Sequence, residues 1–318
     1  MTELKLVVQH AGEVGEPIRE IRLTPADGGS LPAFGAGAHI EVALPGGGHN
    51  AYSLIDFSGT ADAPDSYVLG VRREDGGAGG SRFMHGLQPG DAVTASVPKN
   101  HFPLEPGDSP VILLAGGIGV TPLISMATAL SASRRDFHMY YASRSPAAAA
   151  FADRLTAAHG ERLTLHYDDQ AGAPLAVADL IATADPAAHV YVCGPNPMID
   201  ATRAAMEAAG RPDAQIHAEL FENTSHQSGD KAFEVEIAST GQVVTVPADK
   251  TIIEALEDAG VDLIYDCQRG DCGICQTDVL EGTPDHRDVV LSADERASGK
   301  LMQICVSRAL SDRLKLDL

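Results

Sequence analysis

Three of the chain's five cysteines fall within the eleven-residue stretch DCQRGDCGICQ, at residues 266–276. Cys267, Cys272 and Cys275 are separated by four and then two residues, and Cys305 lies well downstream. The spacing C-x4-C-x2-C with a distant fourth cysteine is typical of plant-type [2Fe–2S] sites, in which four thiolates hold the cluster. The sequence therefore predicts an iron–sulfur cluster with these four cysteines as its ligands.

Two glycines in the same loop, Gly270 and Gly273, favour this interpretation, because they let a backbone wrap a cluster and aim amides at its sulfurs. Zinc is one alternative, but zinc ribbons usually pair two C-x2-C knuckles and this chain has one. A disulfide framework is another alternative. It fits poorly, because the opening MTELKLVVQHAGEVGEP has no apolar export segment and we expect a cytoplasmic protein.

A second kind of chemistry is indicated by LLAGGIGVTP, which has the pattern of a strand, a turn and a helix start. Gly116, Gly117 and Gly119 have no Cβ, so a ligand can lie against the backbone. Thr121 is predicted to cap the helix and Pro122 to open it. Free amides at such a helix start favour a phosphate, although a tight turn without a ligand explains this motif alone equally well.

The stretch YVCGPNPMID repeats this pattern further along the chain. Cys193 ends a strand, Gly194 and Pro195 turn, Asn196 is predicted to cap the next helix, and Pro197 is predicted to open it. Both turns are expected at the carboxyl edge of a parallel sheet, where open α/β sheets bind ligands. Taken alone, Cys193 is read as a small buried residue.

The elements that must position these residues fall into three blocks. The first block alternates short strand-like runs, such as LKLVVQH, IREIRLTP and SYVLGVRR, with turns, which predicts a small antiparallel barrel. From Pro110 onward, buried strands such as VILLAG and HVYVCG alternate with alanine-rich helices, which predicts a parallel α/β sheet. After the polar stretch ENTSHQSGDK come a hairpin and a short helix, TIIEALEDAG, predicted to be capped by Thr251 and closed by Gly260.

Composition limits the classes of partner. The 318 residues suffice for two or three domains, and the net charge of −21 repels nucleic acid and anionic membranes while suiting a basic protein partner. One uncharged run, residues 109–133, is long enough to cross a bilayer. Its central glycines interrupt it, so we expect a buried strand, a turn and a helix there, and no membrane span.

The segments AYSL, GGS, GGIGVTP, YVCGPNPM and CQRGDCGIC occur in this order and together are highly specific. They resemble the phthalate dioxygenase reductase family, the one-chain reductases of two-component Rieske oxygenases, which include vanillate demethylase and carnitine monooxygenase reductases. The resemblance covers nearly the whole chain. It implies a flavin barrel at 1–105, a nicotinamide domain at 106–222, a linker at 223–231 and a plant-type ferredoxin of β-grasp fold at 232–318.

The resemblance also implies the flavin site, which members of this subgroup fill with FMN rather than FAD. The residues expected along the flavin are Tyr52, Ser53, Leu54, Gly70, Val71 and Arg72, with Ser53 near the reactive N5 atom. The phosphate is expected at the helix start formed by Gly79, Gly80 and Ser81. The family usually has an arginine just before Y-S-L, where this chain has His49 and Asn50. Phosphate anchoring is therefore expected from His49, Arg72 or Arg82.

For the nicotinamide, the resemblance implies a site lined by the glycine turn, Thr121, Cys193, Gly194 and Pro195. Glu219 and Phe221 match the segment that closes over the flavin. The predicted catalytic residues are Ser53, Thr121, Cys193 and Glu219. The family implies NADH as the donor, and Arg144 leaves NADPH open because it could pair with a 2′-phosphate.

Electron counting connects the three blocks. A nicotinamide gives two electrons as hydride, a [2Fe–2S] cluster takes one at a time, and a flavin between them can hold one or two. The resemblance therefore implies a reductase that feeds single electrons to a terminal oxygenase, which docks a basic patch on the acidic ferredoxin domain. The alternative is a non-catalytic iron–sulfur carrier or sensor, and a free flavin reductase would leave the ferredoxin domain without a task. Both an aromatic-acid dioxygenase and a quaternary-amine demethylase are open as the partner.

Overall fold

The computed structural model describes residues 3–76, 79–221 and 225–318. Contacts divide the chain into two compact units, Met1–His217 and Ala218–Leu318. Residues 223 and 224, with which the predicted linker begins, lie outside the described residues. The predicted boundaries between the barrel, the nicotinamide domain and the linker therefore stay predictions.

The first sheet is a six-stranded antiparallel barrel in the order β4-β3-β6-β1-β2-β5. A bridge between Leu54 and Leu69 joins its two end strands and closes the barrel. Alternate side chains such as Leu6, Ile21 and Ile40 are buried in its core, as a half-buried sheet requires. The barrel prediction is confirmed. Its elements are β1 (Glu3–Gly15), β2 (Ile18–Pro25), β3 (His39–Ala43), β4 (His49–Ser53), β5 (Tyr67–Arg72), α1 (Gly80–Gly86) and β6 (Ala92–Ser96).

The second sheet has five strands in the order β11-β10-β7-β8-β9, of which β10, β7, β8 and β9 pair in parallel, with helices between them. All six residues of β7 are buried, so the uncharged run predicted to be strand, turn and helix has that structure. The α/β prediction is confirmed. The strands are β7 (Val111–Gly116), β8 (Phe137–Ser143), β9 (Leu163–Tyr167), β10 (His189–Cys193) and β11 (Ile216–Glu219), and the helices are α2 (Val120–Ser133), α3 (Ala152–His159), α4 (Asp168–Ala171), α5 (Val177–Thr183) and α6 (Asn196–Ala208).

The predicted start of α2 is wrong by two residues. A 3₁₀ turn at Gly117–Gly119 runs directly into the helix, which begins at Val120 with Gly119 as its N-cap. Thr121 is therefore already helical, and its hydroxyl donates to the carbonyl of Ile118 at 3.0 Å instead of capping. The tight turn supplies the helical geometry earlier than a side-chain cap would.

The predicted start of α6 is wrong by one residue. Pro195, with an extended ψ of 147°, occupies the N-cap position, and Asn196 is the first helical residue. Pro197 follows at the second position, where its missing amide hydrogen still costs nothing.

The third sheet belongs to the second unit and has the order β13-β12-β18-β14-β16, with β12 and β18 parallel. Thr251 caps α7 in a reciprocal capping box with Glu254, and Gly260, at a φ of 81°, closes it, as predicted. The ferredoxin prediction is confirmed. The elements are β12 (Phe233–Ile237), β13 (Val243–Val246), α7 (Ile252–Asp258), β14 (Gln276–Glu281), β15 (Pro284–Asp285), α8 (Ala293–Ser298), β16 (Leu301–Gln303), β17 (Arg308–Ala309) and β18 (Arg313–Leu316).

Residues 225–231, which the sequence predicted to be linker, are bound to this unit. Arg287 donates to both carboxylate oxygens of Asp230, at 2.9 and 2.6 Å, and to the carbonyl of Ser225 at 3.0 Å. Asp285 and Arg308 extend the same buried network. Within the described part of the chain, no helix has the length and apolar character that a membrane crossing needs.

Candidate functional site

The two glycine turns pack backbone against backbone at the carboxyl edge of the second sheet. A Cβ on Gly119 would lie 2.2 Å from the carbonyl oxygen of Cys193, and one on Gly116 would lie 2.6 Å from Cδ of Pro195 and 3.0 Å from Cα of Gly194. This contact exists because β7 and β10 are adjacent parallel strands that end at the same edge. The glycines therefore let the two predicted turns meet, and the structure brings together these residues of the predicted nicotinamide site.

Thr121 and Cys193 are buried beside these turns, 1% and 0% exposed. The barrel residue Gly70 faces Thr121, because a Cβ on Gly70 would lie 2.8 Å from Cγ2 of that side chain and 3.1 Å from Cε2 of Phe151. Phe151 is buried and holds a left-handed φ of 62°, which is rare for an aromatic residue. Sequence reasoning missed Phe151, because it follows an alanine run that carries no motif.

Within Met1–His217, side chains of α2 and α3 hold the barrel against the second sheet. The hydroxyl of Ser125 donates to the carbonyl of Leu54 at 2.7 Å. Arg154 pairs with the nearly buried Glu20 at 2.5 Å and lies 4.1 Å above the ring of Phe57. These contacts fix Leu54, a predicted flavin residue, relative to the helix that carries Thr121.

The strand residues predicted to line a flavin meet the start of α1. Nδ2 of Asn50 donates to the hydroxyl of Tyr52 at 3.3 Å, and a Cβ on Gly80 would lie only 2.1 Å from the same Nδ2. Ser53 is 5% exposed at the end of β4. Burial raises the pKa of Tyr52, so its hydroxyl stays protonated and can donate a hydrogen bond. This arrangement of glycine and polar groups fits a flat, polar-edged cofactor such as a flavin.

Two of the three candidate phosphate anchors flank α1. Arg72 pairs with Glu74 at 2.5 Å, and the backbone amide of Glu74 donates to the hydroxyl of Ser81 at 3.0 Å. Arg82 donates to the carbonyl of Asp75 at 2.9 Å. These two guanidinium groups beside a helix start suit an anion.

The third candidate, His49, is exposed at the first residue of β4. No contact in the structure joins His49 to Ser81 or to either arginine among the described residues, so the two arginines are the better candidates.

The four predicted cluster ligands lie together in the second unit. Cys267 accepts hydrogen bonds from the thiols of Cys272 and Cys305, which lower its pKa, and the same contact with Cys267 raises the pKa of Cys272. Cys305 also contacts Cys275. This contact lowers the pKa of Cys275 and raises the pKa of Cys305. Thiols at this distance hydrogen-bond to one another. A metal that binds them displaces their protons, because thiolate is the form that binds metal.

The backbone around the sulfurs fits a cluster. The amide of Arg269 donates to Sγ of Cys267 at 3.4 Å. Gly270 has a φ of 82°, and a Cβ there would lie 2.6 Å from Cγ2 of Val306. The amide of Val289 donates to the carbonyl of Gly270 at 2.9 Å, so a neighbouring loop braces this one. The fully buried Gln303 accepts from the thiol of Cys275 at 3.5 Å.

Three charged side chains interact in or near the cysteine loop, and the sequence predicted a role for only one of them, Glu219. Arg269 pairs with Asp271 at 3.2 Å and with Glu219 at 3.7 Å. Burial raises the pKa of Glu219 to about 7 and that of Asp271 to about 8, while the guanidinium of Arg269 opposes both shifts. Glu219 and the half-buried Phe221 both belong to the unit Ala218–Leu318.

Two protein-family models match the chain. An oxidoreductase NAD-binding domain matches residues 113–204, which contain both glycine turns. A 2Fe-2S iron–sulfur cluster binding domain matches residues 235–310, which contain all four cysteines of the cluster motif. The fold and these two domains define an oxidoreductase in which one chain handles a pyridine nucleotide and a [2Fe–2S] cluster.

Similar proteins align with nearly the whole chain. The carnitine monooxygenase reductase subunit of Acinetobacter pittii is 41% identical over 95% of this chain and 98% of its own length. The phthalate dioxygenase reductase of Burkholderia cepacia is 38% identical over 99% and 97%. A solved phthalate dioxygenase reductase, described as a modular structure for electron transfer from pyridine nucleotides to [2Fe–2S], superposes with a TM-score of 0.72 at 36% identity and covers 99% of this chain and 98% of that one. The chain belongs to the phthalate dioxygenase reductase family, whose members are the reductase components of oxygenase systems.

Proposed function

We propose that this reductase takes hydride from NADH onto an FMN bound at the barrel and delivers single electrons through its [2Fe–2S] cluster to a terminal Rieske oxygenase. The observation that carries the proposal is the group of four cysteines, in which Cys267 contacts Cys272 and Cys305 and Cys305 contacts Cys275, with a backbone amide donating to the Cys267 sulfur. A non-catalytic carrier would have no use for the two packed glycine turns or for the polar groups around α1.

Cys267, Cys272, Cys275 and Cys305 are the proposed cluster ligands. Bound to them, a [2Fe–2S] cluster supplies one-electron transfer. The protein backbone alone already has a geometry that suits a cluster. The Arg269 amide donates to a cysteine sulfur, and Gly270 and Gly273 have the positive φ values that the turns of this loop require.

The proposed flavin site runs along Asn50 to Leu54, Gly70 to Arg72 and the start of α1. FMN supplies the exchange between two-electron and one-electron chemistry. The Ser53 side chain is held at the end of a barrel strand, where its hydroxyl would sit beside the reactive ring. Arg72 and Arg82 would take the place of the arginine that the family usually has before Y-S-L, binding the phosphate together with Ser81.

The proposed nicotinamide site is the floor formed by the two turns. Gly116, Gly119 and Gly194 let the two turns pack backbone against backbone, and the edge so formed could support a flat ring. Thr121, held by its bond to the Ile118 carbonyl, would fix the position of the ring relative to Gly70. NADH is the proposed donor, and the exposed Arg144 is the residue that a test with NADPH would probe.

The oxygenase is proposed to dock on the acidic ferredoxin unit through a basic patch around its own metal site. Residues 232–318 carry 17 acidic and 8 basic side chains, a net charge of −9. Among the described residues, the large apolar side chains that are exposed all lie in the unit Ala218–Leu318, and one of them, Ile274, stands between two proposed ligands. They are Val243, Ile264, Ile274, Leu280, Val290 and Leu310. A small apolar centre with a charged rim is typical of brief electron-transfer contacts.

Replacing Cys305 with Ser tests the proposal. The wild-type protein should contain about two iron atoms, two acid-labile sulfides and one extractable FMN per chain. The Cys305→Ser protein should lose the visible absorbance of the cluster but keep NADH-to-ferricyanide activity, because that activity needs only flavin and nicotinamide. Stoichiometric zinc without sulfide, or recovery of FAD, would contradict it.

A further inference from the structure

Arg269 lies inside the cysteine loop, two residues after one proposed ligand and three before the next. Its side chain is 18% exposed and pairs with two acids whose side chains are each 2% exposed, Asp271 at 3.2 Å and Glu219 at 3.7 Å. Glu219 is fifty residues away in sequence but belongs to the same compact unit. One arginine thus holds a local and a distant acid at the same place.

Burial makes this arrangement costly unless the charges are paired. Taking a carboxylate out of water costs several kcal/mol, and a buried acid left without its partner destabilises a protein strongly. Here two buried acids share one arginine.

The same residue also contacts a proposed ligand. The backbone amide of Arg269 donates to Sγ of Cys267 at 3.4 Å, while its side chain reaches Glu219. The position of this amide therefore depends on where the guanidinium is anchored. Gly270, next in the chain, is held from the other side by Val289, so the loop is fixed at both faces.

We propose that Arg269 is a positioning residue of the cluster, which is anchored by Glu219, holds the amide against the Cys267 sulfur, and sets the reduction potential of the cluster with its charge. This inference rests on the proposed function. Reduction adds an electron to a cluster that four thiolates already make negative, so a nearby cation favours the reduced form and a nearby anion opposes it. Hydrogen bonds to the sulfurs act in the same direction as the cation.

The experiment is an EPR-monitored redox titration of the intact holoprotein, with all variants measured at the same pH. Arg269→Gln removes the charge and is expected to lower the midpoint potential. Arg269→Lys keeps the charge and should remain closer to wild type. Glu219→Gln removes a nearby anion and should raise the potential, because Arg269 stays anchored by Asp271 and the loss of negative charge is then the larger effect. The double variant Glu219→Gln with Arg269→Gln should fall between the two single variants.

Arg313→Gln is the matched control. Arg313 also pairs with two carboxylates, those of Glu234 and Glu236 at 3.3 Å each, and it lies in the same unit on β18. Its loss changes the net charge equally but touches no residue of the cysteine loop among the described contacts. We expect a smaller shift in potential for this control than for Arg269→Gln.

Equal shifts in Arg269→Gln and in the Arg313→Gln control would overturn the inference. If the Arg269→Gln protein does not retain its iron, the Glu219→Gln protein provides the test. An unchanged midpoint potential in Glu219→Gln would also overturn the inference. Iron and sulfide analysis of the wild-type protein separates the two levels. A wild type without the cluster defeats the proposed function, whereas a wild type with the cluster and insensitive variants defeats only the role of Arg269.

Discussion

At the residue scale, Gly119 is important because it has no Cβ atom. At Gly119 the missing Cβ would fall 2.2 Å from a backbone oxygen, and backbone has no alternative rotamer with which to move away. The glycine therefore serves the packing of two turns, and any ligand contact depends on that packing. Gly46, by contrast, has open space around its Cβ direction and a backbone conformation that other residues adopt.

We expect Gly119→Ala to raise the KM for NADH at least about tenfold, because the displaced turn no longer presents its backbone to the nicotinamide. A misplacement of about 1 Å at such a site typically costs this much or more. Steady-state kinetics with NADH and ferricyanide measures the effect, and Gly46→Ala is the control. Unchanged kinetics in Gly119→Ala would show that the two turns do not form the nicotinamide site.

Cys193 raises a different question, because its side chain is fully buried while its carbonyl lies against Gly119. We expect Cys193→Ala to impair nicotinamide-dependent flavin reduction more than it impairs folding. Loss of one buried sulfur leaves only a small cavity, worth about 1 kcal/mol. Stopped-flow reduction and thermal unfolding of the same variant separate the two effects. A large loss of stability with an unchanged reduction rate per folded molecule would favour a purely packing role.

Residue types could be predicted from the sequence wherever chemistry requires a pattern. Four cysteines at a fixed spacing and glycines between a strand and a helix are such patterns. Phe151 and Arg269 are not, because each acts through a contact with a residue far away in the chain. Phe151 is recognisable only once the barrel residue Gly70 is placed beside it, and Arg269 only once Glu219 is.

At the scale of elements, the segment that precedes β12 is bound to the ferredoxin unit through a buried ion pair. Hydrogen bonds from Arg287 lower the pKa of Asp230 from 3.8 to about 2. A carboxyl with a lowered pKa stabilises the folded state above its unfolded pKa, and the contribution is lost as the pH falls from about 4 through about 2. Between pH 5 and 8 the contribution is therefore constant.

We expect Asp230→Asn to lower the free energy of unfolding of the ferredoxin unit by about 2 kcal/mol, from a shift of nearly two pKa units at 1.36 kcal/mol each. The loss should be equal at pH 5 and pH 8. Urea unfolding followed by the cluster absorbance measures it, and Asp262→Asn, at an exposed position, is the control. If the loss of unfolding free energy differs between pH 5 and pH 8, a group other than Asp230 must titrate in that range.

Element boundaries were harder to predict than the elements themselves. The pattern of hydrophobic residues predicts the strands and helices. The helices α2 and α6 begin earlier than predicted, because a 3₁₀ turn precedes α2 and an extended proline occupies the N-cap of α6. Local propensity names residues that are able to cap, whereas the path of the preceding chain selects the one that does. The contacts of Ser225 and Asp230 with Arg287, about sixty residues away, are likewise invisible to a local reading of the stretch predicted to be a linker.

At the scale of the whole molecule, charge is the property that reaches farthest. Residues 232–318 carry a net charge of −9, and the whole chain one of −21. Such a surface steers a basic partner toward it, and steering between exposed charges weakens as salt screens them over about 10 Å at 0.1 M. The contact must also be brief, because electrons pass singly and the partner must leave between transfers.

We therefore expect electron delivery to the oxygenase to slow as ionic strength rises, while NADH-dependent flavin reduction in the same protein changes little. At saturating NADH, flavin reduction takes place within one chain, at the proposed site beside the buried Ser53 and Thr121, so it involves no encounter between two protein surfaces. Stopped-flow measurement of both steps across a salt series compares them directly, and the internal step serves as the control. Delivery that is flat or faster at high salt would mean that the acidic face is only a solvated surface and that apolar contacts, such as those offered by Ile274, bring the partner to the cluster.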